Sequence, residues 1–135
     1  SASATVDGGH VIDVSALDLD DPATWCAYHG VKVTDGIATV YKAVGDNWST
    51  GRGTDYSPGS TPEAPDWQPT KACGNGLHFS PSPVQSRGYY PTATRYLECG
   101  VLLADLVPLD SDKCKAPRVV RACVEVDING KPVQS

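Results

Sequence analysis

The alternation of apolar and polar positions changes period along the chain, and each change marks an element. Arg118 to Ile128 alternates over its length, with Val120, Ala122, Val124, Val126 and Ile128 on one side and Arg121, Cys123, Glu125 and Asp127 on the other. That is the pattern of a half-buried strand whose valine side faces the core. Arg95 to Leu103 alternates in the same way, Leu97, Cys99 and Val101 opposing Tyr96, Glu98 and Gly100. Val31–Thr34 and Ile37–Val44 are β-prone runs joined by Asp35-Gly36, a pair that tolerates the positive φ angles of a type I′ hairpin. Short strands are expected at His10 to Val14 and at Leu77 to Ser80, and Asn129-Gly130 turns the chain near its end.

Two stretches carry helix signals instead. From Leu17 to Gly30, Asp21 can accept from free backbone N–H groups, Pro22 suits the first helical position and Gly30 suits the end. Ser82 and Pro83 start a second helix, which must stop before Pro91. Between the hairpin and this helix, residues 45 to 72 hold Pro58, Pro62, Pro65 and Pro69 together with Gly51, Gly53 and Gly59, which deny regular structure. Trp48 and Trp67 in this loop argue that it is ordered and packed on the core. The expected architecture is α+β, a curved and mostly antiparallel sheet with two short helices and one long Pro/Gly-rich loop. A flexible segment over residues 1–9 precedes a single domain over 10–135.

The 135 residues suffice for one domain with a core of its own. No apolar run approaches the roughly 20 residues of a membrane span, so no membrane role is expected. Net charge is −5, and the basic residues are scattered. Lys113, Lys115, Arg118 and Arg121 come nearest to a cluster, but Asp110, Asp112 and Glu125 are interleaved with them. This excludes a phosphate-backbone footprint and hence a nucleic-acid partner, and reads as a solvated loop. Five cysteines without a Cys-x-x-Cys pair fit buried reduced thiols best, with one or two disulfides or a metal site as alternatives.

Chemistry concentrates between Cys73 and Tyr90. Gly74 and Gly76 allow close backbone approach or positive φ. His78 alternates with Leu77 and Phe79, so if those two face the core the imidazole faces a cleft or solvent. Gly74, Gly76, His78, Tyr89 and the loop residue Trp48 are the candidate ligand-binding set. Cys73, His78, Cys99 and Cys123 are a candidate zinc set, with Cys26 and His29 as a second ligand-like pair. Cys73 is also a candidate nucleophile if His78 lowers its pKa, and Gly51-Arg52-Gly53 is a candidate anion nest.

Gly74-Asn-Gly-Leu-His-Phe-Ser, then Ser86-x-x-Tyr89, then Gly100-Val-Leu-Leu-Ala-Asp-Leu-Val resembles the middle of the ADP-ribosyltransferase fold. The resemblance implies a site for nicotinamide adenine dinucleotide (NAD), with His78 in the position of the family's tyrosine and Glu125 as its catalytic glutamate. It leaves His29 or Lys42 as the residue that starts the site. A broader stretch is similar to an uncharacterised domain of bacteriophage and bacterial proteins, notably actinobacterial ones. It comprises Val40-Tyr-Lys-Ala-Val, Tyr56-x-Pro-Gly, Cys73 to Pro81, Arg95-Tyr-Leu-Glu-Cys and Lys113-Cys-Lys-Ala-Pro-Arg-Val. That similarity implies a phage or prophage accessory domain, acting in the host cytoplasm or the virion and needing no cofactor. It would bind a host or virion protein through its aromatic loop. An NAD-dependent transferase or glycohydrolase and a structural virion component are the alternatives.

Overall fold

The structure, a computed structural model, describes residues 5–6, 9–10, 17–109 and 111–133. It is α+β, with two larger antiparallel sheets and few helices. Strands β1 (Thr5–Val6) and β2 (Gly9–His10) pair with each other, within and next to the segment expected to be loosely held. Beyond His10, the strand expected at 10–14 lies outside the described residues.

Helix α1 (Pro22–His29) begins and ends where local chemistry dictates. The Asp21 carboxylate accepts from the Thr24 N–H at 3.0 Å, Pro22 opens the first turn, and Gly30 closes the helix at φ 72°. Trp25 and Cys26 are its buried residues. The Trp25 indole N–H donates to the Ser111 carbonyl at 3.0 Å. Next comes the hairpin of β3 (Val33–Thr34) and β4 (Ile37–Val44). Asp35 and Gly36 both take positive φ, 54° and 76°, as a type I′ turn requires.

Residues 45–76 form no strand or helix, and Trp48 and Trp67 pack against the core from this loop. Then follow β5 (Leu77–Phe79) and α2 (Pro83–Tyr89), with Ser82 accepting from the Gln85 N–H at 3.2 Å. Strand β6 (Arg95–Leu102) leads through a 3-10 turn at Leu103–Asp105 to β7 (Val107–Pro108), β8 (Cys114–Ala116) and β9 (Arg121–Val126).

The sheet orders are β3-β4-β6-β9 and β5-β8-β7. A two-way backbone bridge between Tyr41 and Ser80 joins β4 to the end of β5. The core fills the space between the two sheets, with Val40, Val44, Leu77, Phe79, Leu97 and Cys99 almost fully enclosed.

Strand β9 presents the face opposite to the one its valines predict. Cys123 is buried, whereas Val120 and Val124 are 37% and 45% exposed. Glu98 pairs with Val124 and Gly100 with Arg121, so β9 takes three steps where β6 takes two. This bulge breaks the alternation. The regular pairings after it, Leu97 with Glu125 and Glu98 with Val124, set Cys123 inward beside Cys99, the two sulfurs 3.4 Å apart, and Val124 outward, while the bulge turns Arg121 out opposite Gly100. Val126 is buried on the outer face, at a bridge to Pro132.

Candidate functional site

A cleft of about 280 Å³ opens where the glycine turn, β4, β5, α2 and the segment before β8 meet. His78 stands on its wall, and Leu77 and Phe79 on either side are buried, as alternation requires. The turn ahead of β5 is built by Gly74 (φ 87°) and Asn75 (φ 56°). It folds back so that the Gly74 N–H donates to His78 Nε2 at 3.1 Å. The ring is therefore an acceptor at that nitrogen. Burial, reinforced by the charges of Lys42, Lys113, Lys115 and Arg52, holds the imidazole down to about 4.

Those four cations define the electrostatics. Lys42, Arg52 and Lys113 line the cleft, and among the described residues no aspartate or glutamate lines it. Lys42 reaches it from β4 and donates to the His78 carbonyl at 2.8 Å. Burial, with Lys113 and Arg52 adding to it, pushes the Lys42 amine down to about 8. Lys113 lies over the Tyr89 ring at 4.9 Å and donates to the Cys73 sulfur at 3.8 Å. Lys115, cross-strand from His78, is fully enclosed under the turn. It donates to the carbonyls of Ala72 and Gly74 at 3.0 and 3.2 Å and sits 5.5 Å from the Trp67 ring. Burial pushes its pKa down as well.

Of the candidate ligand-binding and zinc residues, the cleft brings together Cys73, Gly74, His78 and Tyr89, and it adds Lys42 and Arg52 from the other sequence candidates. The Tyr89 hydroxyl donates to Asp112. Gly76 serves packing. A Cβ there would lie 2.9 Å from two Trp67 ring carbons, so its close approach is to the indole. Trp48 lies apart, under the Arg95 guanidinium at 4.7 Å. Of the two residues offered as the start of the site, Lys42 adjoins His78. His29 ends α1 against the rings of Trp25 and Tyr28.

Glu125 does not join this cleft. It pairs with Leu97, which in turn pairs with Lys42, so the carboxylate and the amine share one row of the inner face. Two strand spacings, roughly 10 Å, separate them, with Leu97 between. Glu125 is instead held by Arg95 at 3.0 Å.

The four candidate zinc ligands are likewise divided. Cys73 is exposed beside the Lys113 ammonium, which competes with a cation for its sulfur, and His78 Nε2 is taken by Gly74. Cys99 and Cys123 face each other in the core. Among the described residues no group of three or more His, Cys, Asp or Glu side chains is placed to hold a metal ion. Nor is any helix among them long and apolar enough to cross a membrane.

Lys42, Arg52, Lys113 and Lys115 were not in the candidate binding set. Arg52 had a signal in its glycine-flanked anion nest. Lys42 had one too, since it shares strand parity with Ala38, Val40 and Val44, all core residues. For Lys115 the expectation of a solvated loop fails, because pairing between β5 and β8 encloses it.

A family model described as a domain of unknown function (DUF7666) matches residues 38–130. The match covers the greater part of the chain, including every cleft residue, and the chain belongs to this family. No curated protein matches it, and no solved structure does.

Proposed function

We propose that this member of the DUF7666 family binds a small anionic ligand, a phosphate-bearing one above all, in the cleft around His78. The observation that carries the reading is the cleft's charge. Lys42, Arg52 and Lys113 converge on about 280 Å³ with no carboxylate among the described lining residues, in a chain whose net charge is −5. Holding three cations together is unfavourable without a counter-charge, and a low-dielectric wall strengthens their pull on an anion. His78, neutral at physiological pH, supplies hydrogen bonding without adding charge.

Isothermal titration with pyrophosphate, ADP-ribose and NAD tests this directly. Binding of pyrophosphate, weakened at least tenfold in Arg52→Glu and Lys113→Glu, supports the reading. No heat with any of the three at millimolar concentration rejects it.

A second reading is favoured by the contact between Lys42 and His78, which fits the first two positions of an ADP-ribosyltransferase-like site. NAD carries the diphosphate that this cleft suits. The position of Glu125, beyond Leu97 and paired with Arg95, favours binding of the dinucleotide over its cleavage. Nicotinamide release that is lost in Glu125→Gln would reverse that preference.

The resemblance to phage and prophage proteins supports an accessory role in the host cytoplasm or the virion, with a host or virion protein as partner or with the domain as a particle component. Trp48 and Trp67, the anchors of the protein-binding reading, pack against the core, and for that reason the cleft takes priority. Mass spectrometry of purified particles separates a virion component from a host-side one.

A further inference from the structure

Strand β4 carries Ala38, Val40 and Val44 into the core, and Lys42 occupies the one remaining position of that row. An amine at a core position is costly, because removing an ammonium from water is compensated only by strong partners. Its partners here are modest. Nζ meets the His78 carbonyl at 2.8 Å and lies 5.2 Å from the Tyr56 ring and 6.0 Å from the Phe79 ring. Among the described residues no carboxylate lies within ion-pair distance of it. Two further cations, Arg52 and Lys113, stand around the same cleft. A lysine desolvated in a pocket beside other cations is the arrangement that activates an amine toward carbonyl carbon.

We infer that Lys42 captures carbonyl compounds as an imine, and that the compounds it takes are aldehydes or ketones bearing an anionic group held by Arg52 and Lys113. The inference rests on the anion-binding reading and adds a covalent step to it. The neutral amine keeps one N–H on the His78 carbonyl, which leaves its lone pair free to turn to the cleft. That pair attacks the carbonyl carbon, the C=O π pair moves to oxygen, and a proton passes from nitrogen to oxygen to give a carbinolamine. Loss of the hydroxyl as water, with the second nitrogen proton, leaves the C=N bond. Amine and carbonyl give imine and water, with no oxidant or reductant. Burial supports the step, since an amine with a pKa of about 8 is roughly a tenth to a quarter neutral near pH 7.5, against about a thousandth for an ordinary lysine.

The test uses the full chain, pyridoxal 5′-phosphate as probe, and borohydride to reduce any imine, followed by peptide mass mapping. Lys42 should carry the adduct at least tenfold faster than the exposed Lys32, Lys71 and Lys131. Pyridoxal, which lacks the phosphate, should label it several-fold more slowly, and pyrophosphate should protect it. Lys42→Arg keeps the charge and should abolish the fast adduct, while Lys113→Ala should shrink the advantage of the phosphorylated probe. Labelling of Lys42 no faster than that of the exposed lysines overturns the inference. If pyrophosphate still gives heat on titration in that case, the anion-binding reading survives alone. Equal labelling by both probes with no protection by pyrophosphate overturns the anionic selectivity and the underlying reading together.

Discussion

The Lys42 ammonium donates to the carbonyl oxygen of His78 at 2.8 Å, which ties the centre of one sheet to the edge strand of the other at the floor of the cleft. The folded state holds this amine at about 8, below its unfolded value. Between pH 8 and 10.5 the unfolded chain therefore binds more protons at this position, and the group's contribution to stability rises with pH. Its cost is fully present below pH 8. Buried thiols and phenols raised by burial, Cys26 and Tyr41 among them, act in the opposite sense. The clean measurement is thus the difference between the wild-type protein and Lys42→Met in urea unfolding. The wild type should gain on the variant by on the order of 3 kcal/mol from pH 8 to 10.5. A constant difference would mean that the amine is not desolvated.

His78 behaves similarly at acid pH. Its imidazole is held at about 4, against 6.5 when free. The unfolded chain takes up the proton first as pH falls, so stability is lost between pH 6.5 and 4, by an amount that solvent screening of this half-buried ring holds to about 1–2 kcal/mol. His78→Gln keeps an acceptor for the Gly74 N–H and has no proton to gain. Its unfolding midpoint should fall less steeply over that window. Parallel slopes in the two proteins would show that the ring is solvated.

Gly76 is constrained by the Trp67 ring, which a Cβ would approach to 2.9 Å. Gly76→Ala should displace the indole, shift tryptophan emission to the red and cost about 1–3 kcal/mol. Gly88, in α2, has nothing within 4 Å of its Cβ position. Gly88→Ala should leave emission unchanged and stabilise by up to about 1 kcal/mol. Emission that is unaltered in Gly76→Ala would count against packing of Trp67 over the turn.

Glu125 is tied to Arg95 at 3.0 Å, with the guanidinium side chain 39% exposed. Glu125→Gln should cost no more than about 1 kcal/mol, as partly exposed ion pairs do. Pyrophosphate binding in the variant should stay within twofold of the wild type. A tenfold loss would place this carboxylate's influence inside the cleft.

Local chemistry settled much of this chain in advance. Asp21, Pro22 and Gly30 bound α1, Ser82 caps α2, and Asp35-Gly36 makes the hairpin, because caps and tight turns are interactions within about four residues. The alternation in β5 likewise placed His78 on a wall between two buried neighbours. Which face of β9 meets the core was decided by its register against β6, where Leu97 pairs with Glu125 and Glu98 with Val124, and no periodicity within β9 encodes that. Lys42, Arg52, His78 and Lys113 come from four separate segments. Only the joining of β4 to β5 and the position of the long loop collect their charges in one cleft. The same pairing put Leu97 between Lys42 and Glu125, so the carboxylate that the resemblance offered as a catalytic group was kept a strand away.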